Sequence, residues 1–488
     1  MRFTSKIFSS RECRSLLAAN YLILAMSRAN AFPFCLSWMA VAIACLSSVQ
    51  SVSSAEMWRA GTGREIITPP AGAWMTGYAV RTHPAEGTGQ ELWVKALAIE
   101  DPKGNRGVLV TLDLCGITRE ISNQVADELH RQHRIPRSAV MINVSHTHCS
   151  PAIEGSIAGL RILPPEGRAL SIAYGRDLIT RIIKAANHAL TTLTPATLSW
   201  SEDSASIGIN RRENSEKDAP ALRAAGKLRG PSDSRVPVLA VRDSNGGSLA
   251  LLVSYACHNT TLSYYFWHGD YAGSAQVYLE RRHPGATVLF ASGCGADINP
   301  NPRGTVEWAD AHGKSLADAV DRALATPMKR IEGGFRSEFE DITLTFSRKP
   351  TDEQLREARE KEQPNMAMHQ AWSAVVTEQF RLKGAEIMQY DYPIQAWSLG
   401  DLSWLALGGE VVVDYSLRLR AETPGNLWVF GYSNDVMAYI PNERILKEGR
   451  YEGETSMIPY GRPGPWSPGL EEKIVSKSQQ LIRRARGE

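Results

Sequence analysis

The chain has 488 residues, 43% of them hydrophobic and 22% charged, with a formal net charge of +2. That is the composition of a folded globular protein, and it excludes bulk disorder and fibrous repeats. Within the first 55 residues Arg2, Lys6, Arg11, Arg14 and Arg28 face only Glu12, so the remainder carries −2, which argues against nucleic acid as a partner.

Residues 1–55 have the order of an export signal: a basic start, an apolar run over residues 32–46, then Val52-Ser53-Ser54-Ala55. Small side chains at −3 and −1 predict cleavage near Ala55–Glu56 and an exported protein, periplasmic or secreted. The unusual length leaves two alternatives, a start at Met26 or an uncleaved anchor. No later stretch is apolar for the ~20 residues a membrane span needs. Residues 56–488 are then expected to form one large domain.

From there short apolar runs alternate with amphipathic ones. Residues 92–99 and 107–114 read as strands, 120–133 as a helix, 139–145 as a short buried strand and 171–190 as a helix. A polar stretch over 213–234, rich in Ala, Gly, Pro and Ser, reads as a surface loop. Strands over 236–241 and 248–256 flank Asn245-Gly246-Gly247, a hairpin turn. A helix over 271–282, a strand over 286–291 and a helix over 308–325 follow. Residues 351–386 read as a helical pair or a kinked helix around Pro364 and Asn365, and residues 470–486 as a last amphipathic helix. Such alternation predicts an α/β fold of layered, mixed sheets flanked by helices. Cys115, Cys149, Cys257 and Cys294 each end an apolar run with no zinc-knuckle spacing, and are expected to be buried small hydrophobes rather than disulfides.

Chemistry-bearing residues gather where strands end. After the run 139–144 come His146, Thr147, His148 and Cys149; on an extended chain positions i and i+2 face the same side, so two imidazoles converge. Packed histidines remain the plain alternative. His258 follows the strand 248–256 in the same way, and a zinc site needs three or four ligands. His268-Gly269-Asp270 precedes a helix that Asp270 can cap; a partner for a ligand histidine is the second reading. Gly293-Cys294-Gly295-Ala296-Asp297-Ile298-Asn299 is a tight loop or a site loop. Gly408-Gly409-Glu410 follows a strand over 402–407, and Glu410 either caps the next helix or supplies an anionic oxygen. Tyr439 and Tyr451 read as packing residues by default.

In their order these clusters resemble the neutral/alkaline non-lysosomal ceramidase family. The match runs from the opening Gly61-Thr62-Gly63-Arg64 segment through Leu112-Asp113, SHTHCSP, Asn210-Arg211, ACHNTTL, GDYAG, the loop 297–301, GGE and the tyrosine segment. The resemblance implies zinc held by His146, His258, Glu410 and Tyr439. It further implies a substrate amide contacted by His148, with Arg211 and Tyr451 around the scissile group. Asn299 stands where the family carries a serine implicated in catalysis, and no counterpart of the family's C-terminal immunoglobulin-like domain is expected in residues 56–488. The implied function is a hydrolase of linear amide bonds in which zinc-activated water cleaves an N-acyl amide, with ceramide as one substrate. Hydrolysis of an ester or N-acetyl group and a non-catalytic exported binding protein are the alternatives. A small-molecule or lipid amide is the expected partner, a membrane-surface contact is compatible with it, and nothing calls for a protein partner.

Overall fold

The computed structural model describes residues 57–155, 162–360, 362 and 365–488. The expectations for the leader therefore lie outside the described residues, as does Pro364. In chain order the first half contains β1 (Trp58–Ile66), β2 (Trp93–Glu100), β3 (Arg106–Leu112), α1 (Arg119–His133), β4 (Val140–Val144), α2 (Pro165–Thr191), β5 (Thr194–Ser204), β6 (Arg235–Asp243), β7 (Ser248–Tyr255), α3 (Asp270–Arg282), β8 (Thr287–Ser292) and α4 (Val306–Ala325). The sheet order is β8-β7-β6-β5-β1-β2-β3-β4, with Lys329–Arg330 as a ninth strand on β5. The outer pairs β8·β7 and β3·β4 are parallel and the inner ones antiparallel, so the sheet is mixed as expected. β6 and β7 form the hairpin, its turn tied by the Asp243 carboxylate, which accepts from the Asn245 and Gly247 amides.

A second, four-stranded sheet runs β9 (Phe335–Thr345), β10 (Gln389–Leu399), β11 (Leu402–Leu407) and β12 (Asn426–Phe430). Around it come α5 (Asp352–Glu360), α6 (Met366–Lys383), α7 (Val413–Glu422) and α8 (Leu470–Arg486). The charged stretch is thus a helical pair. The 213–234 segment departs from expectation: it contains a helical turn and a half, Ala219–Ala224, whose Arg223 donates to the carbonyls of Asn301 and Ile207. A polar composition hid it, because the stabilising contacts are long-range.

Apolar alternation explains the layers. β2, β3 and β4 are buried along nearly their whole length, and α1 and α2 cover one face of them. α2 and β1 approach each other very closely. Cβ atoms built on Gly61 and Gly63 would stand 2.2 Å from the Ala189 carbonyl oxygen and 2.0 Å from that of Ala185. Only glycine lets helix and strand backbones come that near. Gly63→Ala is therefore expected to destabilise the fold by about 3 kcal/mol, the upper end for overpacking, because the clash is with backbone. A lowered thermal midpoint would show this; an unchanged midpoint would mean that α2 slides freely.

The sheet curls so far that its two edges meet. Asn143 on β4 accepts from the Ser292 amide of β8 at 2.8 Å and donates to the Gly431 carbonyl at 2.8 Å. Residues 430–434, leaving β12, fill the seam: Val144 donates to the Tyr432 carbonyl and Gly431 to that of Ser292. This closure, an extreme of ordinary sheet twist, brings the ends of β4, β7, β8 and β11 to one place.

Candidate metal centre

Most site residues sit at or just beyond a strand end, and Glu410 and Tyr439 pair with each other in a short two-stranded ladder. His146 follows β4, His258 follows β7, the loop 293–299 follows β8 and Glu410 follows β11. His146 and His258 present Nε2 to the same Glu410 Oε2, at 3.0 and 3.1 Å. The Tyr439 hydroxyl lies 3.2 Å from His258 Nε2, and His148 Nε2 lies 3.1 Å from His146 Nε2. All four residues the resemblance named as ligands meet at one point, and His148 stands beside them.

The convergence of His146 and His148 has a different cause from the one expected. The strand stops at Val144, and His146 has φ +62°, a left-handed conformation that costs a non-glycine residue about 1 kcal/mol or more. Strand alternation therefore does not align the pair. The turn is held by main-chain bonds from Ser145 to Leu112 and from His146 to Leu114, and by Asn259, whose amide donates to the Ser145 carbonyl.

Ring orientation is also fixed. His146 Nδ1 donates to the Cys115 carbonyl at 2.5 Å and His258 Nδ1 to the Gly295 carbonyl at 2.8 Å. With Nδ1 carrying the proton, each neutral ring turns an Nε2 lone pair toward Glu410 Oε2, itself an acceptor only. Such a cluster of lone pairs is repulsive without positive charge among them. Burial works against charge on Glu410, yet the facing His146 and His258 hold its carboxyl well below the usual range. Burial likewise opposes charge on His146, but Glu410 outweighs it and pushes that pKa well up. His258 is pushed down to about 4 by burial and by Arg211. Two imidazoles with carbonyl-anchored Nδ1 atoms, one carboxylate and one phenol are a donor set that fits a tetrahedral zinc ion. Among the described residues His146, His258 and Glu410 form one cluster of metal-ligating atoms, and Cys115, His146 and His148 another that shares His146.

Around this point runs a polar support. Arg211 donates from Nη2 to the Tyr439 hydroxyl at 3.1 Å, from Nη1 to Asn299 Oδ1 at 3.1 Å and from Nε to Glu452 at 2.8 Å. Asn299 passes its own N–H on to Glu216 at 3.1 Å, and Glu216 pairs with Arg303. Tyr451 packs edge-on against Tyr439, with ring centroids 5.3 Å apart, and is exposed. Tyr460, which sequence reasoning did not single out, donates its hydroxyl to Glu410 Oε1. Glu216 and Glu452 were missed as well. None of the three sits at a strand end, and a tyrosine in a Pro-Tyr-Gly turn carries no local mark of a carboxylate partner.

The two capping alternatives fall out differently. The helix after Glu410 is capped by Asp297, which accepts from the Val413 amide at 2.9 Å, leaving Glu410 free for the centre. Asp270 does accept from the first-turn amide of Tyr271, but it lies inside α3 at φ +56° and also ties down the Leu262 amide; it touches no ligand histidine. Cys115, Cys149, Cys257 and Cys294 are buried and free, as expected.

A mixed α/β frame with a buried two-histidine, carboxylate and phenol cluster at its strand ends defines a protein with a candidate metal centre. The chain belongs to the neutral/alkaline non-lysosomal ceramidase family, whose N-terminal family model matches residues 58–321. It is similar to neutral ceramidase A of Dictyostelium discoideum, 25% identical over 278 residues, which are 52% of this chain and 37% of that protein. Neutral ceramidase 2 of Arabidopsis thaliana is 25% identical over 302 residues, 57% of this chain and 38% of that protein. The matches thus span less than two fifths of the curated relatives. Two solved structures share the fold: a ceramidase complexed with C2 (TM-score 0.69, 17% identity, 88% of this chain and 76% of that one) and the neutral ceramidase of Pseudomonas aeruginosa (TM-score 0.68, 18% identity, 88% and 75%). The family match takes in His146, His148, Arg211, His258 and Asn299. Glu410, Tyr439 and Tyr451 lie beyond it.

Proposed function

We propose that the chain is a zinc-dependent amidohydrolase that cleaves an N-acyl amide, with ceramide within its substrate class. The observation that carries this is the meeting of His146 and His258 Nε2 on Glu410 Oε2. A zinc ion held there supplies Lewis-acid activation of water and of the acyl oxygen. The protein's own groups do the rest. Arg211 holds its cationic guanidinium against the Tyr439 oxygen, favouring the phenolate that ligates. Asn299, engaged by Arg211 on one side and Glu216 on the other, positions that guanidinium rather than acting as nucleophile or base. His148 and Tyr451 flank the cluster on the substrate side, placed to hydrogen-bond the developing oxyanion and to move a proton to the leaving amine. His148 Nδ1 is buried without a partner beneath Gly77, so a substrate reaches it only if that segment moves.

Family membership and the fold shared with two ceramidases support the reading. The leader's order supports placing the protein on the export side of a membrane, and among the described residues no helix is long and apolar enough to cross one. The test is metal analysis of the purified protein with a panel of N-acyl amides. About one zinc per chain is expected, with turnover lost on chelation and restored by zinc. A protein that holds no zinc and gains no amidase activity from added zinc would sink the proposal.

A further inference from the structure

Beside the centre opens a cavity of about 710 Å³, walled by the segment 74–82, by Ile162 and Leu163, by the start of α6, and by Tyr451 and Ile458. Among the described residues its lining includes no aspartate, glutamate or lysine, and Arg81 is the one guanidinium. Arg81 is 8% exposed. Its guanidinium donates to the Thr76 carbonyl and, at 3.2 Å, to the Tyr264 carbonyl, while Nε–H has no partner. The rings of Tyr78 and Tyr265 lie 5.0 and 5.9 Å from its Cζ. Every one of these partners is uncharged, and no ion pair to Arg81 occurs among the described residues.

Such isolation is anomalous. Buried arginines are almost always paired, because an uncompensated charge out of water is costly. Elsewhere Arg211 and Arg212 both pair with Glu452, while the half-buried Arg137, like Arg81, meets a carbonyl and an aromatic ring. Arg81 spends N–H groups on the Thr76 and Tyr264 carbonyls and also engages the Cys149 thiol, its Nε–H is buried without a partner, and a planar guanidinium edge lining a cavity is matched to a carboxylate. Tyr78 connects this edge to the centre. Its ring meets that of His148 edge-on at 4.7 Å and carries the Arg81 cation on its other contact. Gly77 keeps the segment close, since a Cβ there would stand 2.4 Å from His148 Cγ.

We propose that Arg81 is the anion-binding group of the substrate cavity and that the preferred substrate is an N-acyl amide bearing a carboxylate, as in an N-acyl amino acid. This rests on the amidohydrolase reading above and narrows its substrate. The apolar remainder of the cavity takes the acyl chain, and the carboxylate supplies the counter-charge that the fold withholds from Arg81. A neutral amide of the same length fills the cavity but leaves the guanidinium unpaired.

The experiment compares N-lauroylglycine with N-lauroylethanolamine, equal in chain length and differing in charge, on the full zinc-loaded chain. The anionic amide is expected to have a kcat/KM at least ~10-fold higher, and Arg81→Gln to bring the ratio to about 1, mainly through KM, as loss of a charged hydrogen bond implies. Equal rates in the unaltered protein, a preference for the neutral amide, or a ratio unmoved by R81Q would each overturn the proposal. Arg81→Lys keeps the charge without the fork and should give an intermediate ratio; if R81Q does not fold, the preference of the unaltered protein and the R81K ratio decide. Calorimetry with N-(dodecylsulfonyl)glycine, which is not hydrolysed, separates the two readings. Arg81-dependent binding without any amide turnover would refute the hydrolase and keep the anion site. Turnover with no Arg81-dependent binding would do the reverse.

Discussion

Glu410→Gln is expected to abolish metal retention and to lower amide hydrolysis by ~10³-fold or more. The substitution is nearly isosteric, and it keeps an oxygen for the Tyr460 hydroxyl. What it removes is the anionic charge that both Nε2 lone pairs face at 3.0 and 3.1 Å. Losing a group that merely orients a ligand costs ~10–100-fold in metal affinity or activity, so losing the one acidic ligand should cost more. Zinc per chain measured after gel filtration should fall from about one to a small fraction, while the thermal midpoint of the metal-free protein changes little. A fully zinc-loaded E410Q turning over at the normal rate would place the metal elsewhere.

Arg211→Met should separate positioning from ligation. The guanidinium spans three groups: Glu452, Asn299 and the Tyr439 hydroxyl. Without it Glu452 keeps its 2.6 Å pair with Arg212, so the loop stays anchored. The Tyr439 oxygen, however, loses the cation that favours its charged form, and burial already pushes that phenol well up. The expected result is a ~10²–10³-fold loss in kcat, the size seen when one preorganised donor is removed, with zinc still bound by His146, His258 and Glu410. R211K, which keeps the charge but not the planar fork, should recover part of the loss. Zinc lost along with activity in R211M would make Arg211 essential to the ligand shell itself; normal kcat would remove it from the mechanism.

Much of the fold is legible in the chain. β2, β3, β4, β6, β7 and β8 fall within a residue or two of the apolar runs that predict them, because a strand buried on both faces must be apolar throughout. α1, α3, α4 and α8 follow from amphipathic spacing in the same way. The helical turn over Ala219–Ala224 is missed because Arg223 anchors it to the Asn301 carbonyl nearly eighty residues away, and no local pattern records that. The site divides along the same line. His146, His258 and Glu410 announce themselves as polar residues closing apolar strands. Tyr460, Glu216 and Glu452 do not, since each matters only through a partner distant in sequence.

By itself, then, the sequence determined which strands exist and which polar residues terminate them, for burial and periodicity are local properties of a chain. Only the tertiary structure decided that β4 and β8, opposite edges of one sheet, are joined through Asn143 and the segment 430–434. That closure is a matter of twist and long-range hydrogen bonding. It is also what makes one cluster of four distant side chains.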